Sequence, residues 1–160
     1  MILAIDPGNE KSAYVWIQEK TLVPDCFDII PNTELIDLLY FCEKKDTLAI
    51  EKIKSYGMPV GDTVFDTCIW TGRFVESWDR LSSKEYFYIT REDVKLNLCN
   101  TKRAKDSNVI QALIDRFAPN TPNRGKGYKK EPGWFYGFKA DIWQAYAVGV
   151  TYHDLYLKSK

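Results

Sequence analysis

Three carboxylates stand where apolar segments begin or end, and such side chains are the raw material of a divalent-cation site. Asp6 closes the apolar run over residues 2–5, just ahead of Pro7 and Gly8. Glu51 closes a second run over residues 47–50, and Asp141 falls in the opening turns of an amphipathic stretch that begins at Lys139. Alone, Asp6 reads more simply as a turn residue before Pro-Gly. Together, three converging acids repel one another unless cations sit between them. Hard ions such as Mg²⁺ take oxygen ligands and bind phosphates as well. Two such ions roughly 4 Å apart would clamp the attacking and leaving oxygens of a phosphodiester displacement. His153 is the only histidine and is not placed to serve as a general base, which favours metal-only chemistry.

The elements that must position these acids follow from hydrophobic periodicity. Residues 2–5 and 47–51 read as buried strands, each with its acid at the end. Residues 11–18 and 23–30 follow the first strand closely, which predicts an antiparallel meander. Thr33 opens a helix with Leu35, Leu38, Leu39 and Cys42 on one face, and this crossover allows a parallel pairing of the first strand with 47–51. Asp62 is placed to cap a helix running to about Arg80, apolar on more than one side, so it needs a second partner or full burial. Residues 84–90 give a fifth strand. Thr90-Arg91-Glu92-Asp93 resembles a capping box ahead of a short helix that carries Lys95. A helix to Phe117 follows the basic group Lys102, Arg103 and Lys105. A last helix spans residues 139–157.

Four of these stretches, in this order, resemble the RuvC family of Holliday junction resolvases, within the ribonuclease H-like superfamily. They are Asp6-Pro7-Gly8, Ala49-Ile50-Glu51, the lysine-led start Lys105-Asp106-Ser107-Asn108-Val109-Ile110-Gln111, and the acidic helix at Asp141. The irregular loops suggest a divergent member, such as one from a bacteriophage. The resemblance implies an α/β fold, a mixed five-stranded sheet flanked by helices, formed as a single nuclease domain over residues 1–160. It implies a homodimer that resolves four-way and related branched DNA junctions by paired nicks, a two-fold protein on a two-fold substrate. Asp6, Glu51 and Asp141 would be the catalytic acids, holding two Mg²⁺ ions, with Mn²⁺ able to substitute. The helix 62–80 would form the dimer interface through Phe65, Ile69, Gly72 and Trp78; a fully buried core helix is the other reading. Lys95 and Lys105 would lie near the DNA backbone.

One departure stands out. The family carries two acids one helical turn apart on its last helix, and the second position here is Gln144. It shares a helix face with Asp141, so it is expected to reach the metals with a neutral oxygen, leaving a weak second ion site. That keeps open a junction-binding protein with a weak or inert site. A superfamily nuclease acting on RNA or RNA–DNA hybrids is a further alternative.

The remaining signals concern nucleic acid. Lys52, Lys54, Tyr56 and Met58 follow Glu51 in a loop whose aromatic either stacks on bases or packs on the protein's own surface. Residues 118–137, rich in Gly and Pro, read as the most mobile part, with Arg124, Lys126, Lys129 and Lys130 interleaved among aromatics. That mixture suits phosphate neutralisation and base stacking, or else a solvated linker. The net charge is zero, yet residues 1–80 carry 8 basic and 14 acidic side chains and residues 81–160 carry 14 and 8. An acidic pocket beside a phosphate-binding surface would produce that split.

Other classes are disfavoured. Hydrophobic residues make up 45% of the chain, too many for a disordered one. Cys26, Cys42, Cys68 and Cys99 are scattered without a Cys-x-x-Cys pair, which argues against structural zinc and for free thiols in a reducing cytoplasm, that of the bacterial host if a phage encodes the chain. Asp6 and Glu10 interrupt any signal peptide, and no apolar run is long enough for a membrane span. No membrane partner and no organic cofactor are expected.

Overall fold

The computed structural model describes residues 1–42, 46–55, 57, 59–82 and 85–158. Its centre is a five-stranded sheet in the order β3-β2-β1-β4-β5. β1 (Ile2–Asp6), β2 (Lys11–Ile17) and β3 (Pro24–Pro31) form the antiparallel meander expected from their short connections. β4 (Thr47–Lys52) and β5 (Tyr86–Thr90) extend it in parallel with β1. The run Ile2-Leu3-Ala4-Ile5 is wholly buried because both faces of β1 are covered, as a continuous apolar strand requires.

The two faces sort by alternation. Ile2 and Ala4 point toward α5 (Ile142–Tyr152), joined there by Val15, Ile17 and Ala49. Leu3, Ile5, Leu48 and Ile50 point the other way, toward α1 (Asn32–Leu39) and α2 (Asp62–Ser82). α3 (Arg91–Cys99) and α4 (Asp106–Phe117) pack on the α5 side through Val94, Val109 and Leu113. α5 rides low on the sheet because of Gly149. A Cβ there would come within 2.9 Å of the Ala4 Cβ and 2.3 Å of the Ile17 Cδ1.

Several local expectations need correction. α1 begins at Asn32 rather than being capped by Thr33, and Asn32 is buried with its side chain in the core of the β1–β2 turn. The first carbonyl of α2 to accept is that of Gly61, from Val64 N–H at 3.0 Å, so Gly61 precedes the helix that Asp62 starts. The last helix starts at Ile142 rather than Lys139 and ends in a π-helical turn, His153–Leu157.

The largest departure is residues 118–137. Instead of a mobile linker they fold into a small hairpin, β6 (Gly127–Tyr128) with β7 (Glu131–Pro132). Phe135 is fully buried, its ring centroid 4.6 Å from that of Trp143 and 5.7 Å from that of Tyr146, and Phe138 joins the same cluster. Tyr146 donates to the Leu22 carbonyl at 2.8 Å and accepts from the Trp134 indole at 3.0 Å. Of the aromatics that suggested base stacking, Phe135 is a core anchor and Trp134 is half-buried against Phe117, because burying these rings outweighs the entropy of a Gly- and Pro-rich segment, whereas Tyr128 and Tyr136 stay exposed.

On α2, one stripe is buried and another is open. Thr71, Phe74, Val75 and Trp78 face the core. Trp78, expected at a dimer interface, is 1% exposed and donates its indole N–H to the Glu85 carbonyl at 3.3 Å. It is a core residue with no surface to offer a partner. Phe65 and Ile69 are 55% and 61% exposed. With Cys68 and Gly72, also exposed, they mark the helical spacing of one face.

Candidate active site

The register of the parallel strands builds the site. Ile5 pairs with Ile50, which sets Asp6 and Glu51 side by side at the carboxyl ends of β1 and β4. Ile89 pairs with Glu51 and Thr90 with Lys52, so the next residue, Arg91, emerges at the same edge from β5. Ligands of parallel sheets are commonly met at this edge, where side chains leave the strands and helices begin.

The turn after Asp6 is held from within. Gly8 N–H donates to Ser12 Oγ at 3.1 Å, Ser12 Oγ donates to Asn32 Oδ1 at 2.6 Å, and Asn32 Nδ2 donates to the Gly8 carbonyl at 2.9 Å. A Cβ on Gly8 would lie 2.2 Å from the Lys11 carbonyl oxygen, so only glycine fits. On the β5 side, Thr90 and Asp93 close the expected capping box. Thr90 Oγ1 accepts from Asp93 N–H at 3.2 Å and the Asp93 carboxylate accepts from Thr90 N–H at 2.8 Å. That box fixes the first turn of α3, and with it Arg91.

The electrostatics are those of crowded acids. Burial pushes the Asp6 carboxyl well above the usual carboxylate range, and the Glu51 charge, a hydrogen bond with Glu51 and the Asp141 charge push it further, against Arg91. Glu51 is 9% exposed. Burial raises it too, opposed by the Arg91 charge and by the hydrogen bond that Asp6 donates to it. Asp141 is exposed at the N-cap of α5, its carbonyl accepting from Gln144 N–H at 3.0 Å and Ala145 N–H at 2.9 Å. Asp6 therefore lies within range of the charges of both Glu51 and Asp141.

Gln144 is buried at the same place, and its Oε1 accepts from Arg91 Nη1. Arg91 Nη2 donates to Asp106, whose charge also acts on Glu51. Among the described residues no group of three or more His, Cys, Asp or Glu side chains takes up ion-holding geometry as a set. The donor chemistry still fits a hard divalent ion, since two carboxyls are in contact and a third raises Asp6 by its charge, all of them oxygen donors.

No protein-family model matches the sequence, and no curated protein does either. Solved structures do. A structure of Thermus thermophilus RuvC matches with a TM-score of 0.59 at 15% identity, over 94% of this chain and 92% of that one. A second, T. thermophilus RuvC in complex with a Holliday junction substrate, matches with a TM-score of 0.63 at 12% identity, over 94% of this chain and 91% of that one. The chain has the RuvC fold. At these identities RuvC shares the architecture, and the site must be argued from this chain's own residues.

Within the RuvC fold, the expected cations fall into two groups. Lys54 and Lys102 both reach the Glu92 carboxylate, at 3.5 and 3.4 Å, and Lys95 is near enough for its charge to act on Glu51. Arg91, Glu92, Lys95 and Lys102 line a cleft of about 170 Å³ beside the acids. Lys52 leans over the Tyr88 ring at 5.3 Å, while Arg103 and Lys105 are exposed ahead of α4. The second group sits on the hairpin, with Arg124, Lys129 and Lys130 exposed and Lys126 half-buried. Through Phe135 and Trp143 the hairpin is docked on the first turn of the helix that follows Asp141. Tyr56 and Met58 lie outside the described residues.

Arg91, Asp106 and Asn32 are parts of the site that sequence reasoning misses. Arg91 has one usable signal, its place directly after the third parallel strand. Asp106 has its place in the lysine-led stretch 105–111, and Asn32 has none, because it acts across contacts made only by folding.

Proposed function

We propose that this protein is a structure-selective endonuclease that resolves four-way and related branched DNA junctions by paired, divalent-metal-dependent nicks. The observation that carries this is the meeting of Asp6, Glu51 and the Asp141 charge at the strand ends of a RuvC fold. Asp6, Glu51 and Asp141 would hold Mg²⁺, or Mn²⁺ in its place. When bound, the ion supplies an activated water and charge stabilisation for the leaving 3′-oxygen. The chain's own residues do the rest. Mutual repulsion favours capture of a cation that displaces the proton Asp6 shares with Glu51. Lys54, Lys95 and Lys102 orient the phosphodiester in the adjoining cleft by charge and hydrogen bonds. The hairpin cations Arg124, Lys126, Lys129 and Lys130 hold a neighbouring arm.

The open stripe Phe65, Cys68, Ile69 and Gly72 supports a homodimer, since two-fold pairing through one helix face sets two sites against a two-fold junction. The residue at position 144 favours a second reading, a junction-binding protein with a weak site. Gln144 is neutral, and its oxygen already accepts from Arg91. A superfamily nuclease on RNA or RNA–DNA hybrids differs by needing no dimer, which sedimentation distinguishes.

The deciding test is nicking of a synthetic four-way junction with Mg²⁺ or Mn²⁺. Wild type cuts, and Asp6→Asn and Glu51→Gln bind the junction but do not cut. Cutting by either variant near the wild-type rate would sink the site assignment. Junction binding without cutting by wild type in any divalent ion would establish the second reading.

A further inference from the structure

We propose that Arg91 is a built-in cation of this active site that occupies the role of a second metal ion, clamped by Gln144 and Asp106 and aimed at the substrate phosphate. The inference rests on the nuclease reading above and concerns how many ions that site takes. Arg91 leaves β5 at the edge where β1 and β4 deliver Asp6 and Glu51. Its side chain is 17% exposed. One arm of the guanidinium donates to Gln144 Oε1 and the other to Asp106 Oδ1, so its plane is set from two helices, α5 and α4. Its charge reaches both Asp6 and Glu51. A guanidinium carries more donors than these two bonds use, and Arg91 also lines the cleft shared with Lys95 and Lys102.

Charge balance points the same way. One divalent ion, Arg91 and Lys95, whose charge acts on Glu51, together match Asp6, Glu51, Asp141 and the Asp106 that Arg91 pairs with. A second divalent ion would have to approach a fixed guanidinium in a partly buried site, where like charges repel strongly. It would also find the Gln144 oxygen engaged, and that oxygen carries no charge to offset the repulsion. The weak second ion site expected from the sequence is then unnecessary. Fixed guanidinium groups stabilise phosphoryl-transfer charge well, being planar, permanently charged and bidentate. Arg91 thus couples to position 144: a carboxylate placed there pairs with Arg91 before it serves a metal.

Mn²⁺ titrated calorimetrically into the protein tests this, with junction cleavage measured alongside. Wild type is expected to bind one Mn²⁺ per chain. Gln144→Asp still binds one, because its new carboxylate is held by Arg91. The double variant Arg91→Gln/Gln144→Asp binds two, and Arg91→Lys/Gln144→Asp, which keeps the charge, returns to one. Arg91→Gln alone keeps one ion, yet cleavage falls at least about 100-fold at saturating Mn²⁺. Thermal unfolding confirms that each variant is folded, and the lysine variant carries the test if Arg91→Gln is not. Two ions in wild type, or a second ion in Gln144→Asp as tight as in the double variant, would overturn the proposal while leaving the nuclease reading intact. Binding of no Mn²⁺ by any form, with no cleavage, would overturn both.

Discussion

Asp6 sits at the strand edge at a cost to the fold. Burial first, then the Glu51 and Asp141 charges, raise its carboxyl above its unfolded value. A raised group contributes stability below its unfolded pKa and loses it as pH rises through the folded value. Metal-free protein should therefore become less stable as pH rises above about 4, the ordinary carboxylate value, and Asp6→Asn should flatten that decline. Thermal unfolding in chelator at several pH values checks it; equal slopes for the two proteins would mean that Asp6 is not strained. Asp154 behaves oppositely. Burial alone would raise it, but hydrogen bonds from Arg116, at 2.5 and 2.9 Å, and from Asn97, at 3.0 Å, outweigh that and bring it down to about 2. Its side chain is 12% exposed. A depressed carboxylate stabilises above its unfolded pKa and stops doing so as pH falls through the folded one. Roughly 2 kcal/mol should be lost between about pH 4 and pH 2. Urea unfolding of wild type and Asp154→Asn across that range should show the loss in wild type alone. Asp154 is thus a structural acid, tied to α4 through Arg116.

At the scale of elements, α2 divides its work between two faces. Trp78 closes the core beneath α1, so Trp78→Ala should cost about 3–5 kcal/mol in unfolding free energy. Ile69 sits on the open stripe, where a charge disturbs nothing within the protomer. Ile69→Asp should leave the melting temperature of a monomer nearly unchanged and convert a dimer to monomer in sedimentation velocity. A wild type that sediments as a monomer at high concentration would remove the two-fold argument and bring the hybrid-cleaving alternative forward. Helix α5 has a different task. Gly149 lets it lie against β1 and β2, and its N-cap then carries Asp141 to the edge where Asp6 and Glu51 end. The capping box at Thr90 does the same for α3 and Arg91.

At the scale of the molecule, the acidic first half and basic second half meet along one edge. The first half supplies Asp6 and Glu51, and the second supplies Arg91, Lys95, Lys102 and the hairpin cations. Because the hairpin is anchored by buried Phe135 and Phe138, its charges sit on a fixed support. Replacing Arg124, Lys126, Lys129 and Lys130 with neutral residues should weaken junction binding. It should also lower the log–log salt slope by about 0.9 for each phosphate that is no longer neutralised. An unchanged slope in a salt titration would assign the hairpin a purely structural role.

The strands, the two-sided burial of residues 2–5, the meander, the parallel crossover and the placing of Asp6 and Glu51 at strand ends were all legible in the sequence, because each is written in short-range periodicity. The Thr90 capping box and the helical character of 62–80 were legible for the same reason. Tertiary structure alone decided what depends on distant partners. Arg91 and Gln144 are 53 residues apart, and nothing in the pattern around either announces the other. Asn32 reads as a breaker until Ser12 and Gly8 surround it. Phe135 reads as a loop aromatic until Trp143 and Tyr146 bury it. Trp78 and Ile69 belong to one helical pattern, and only packing against α1 and the sheet turned one inward and left the other in solvent. Local periodicity selects an element and its apolar faces, whereas the partner each face or polar group meets is set by where the other elements come to rest.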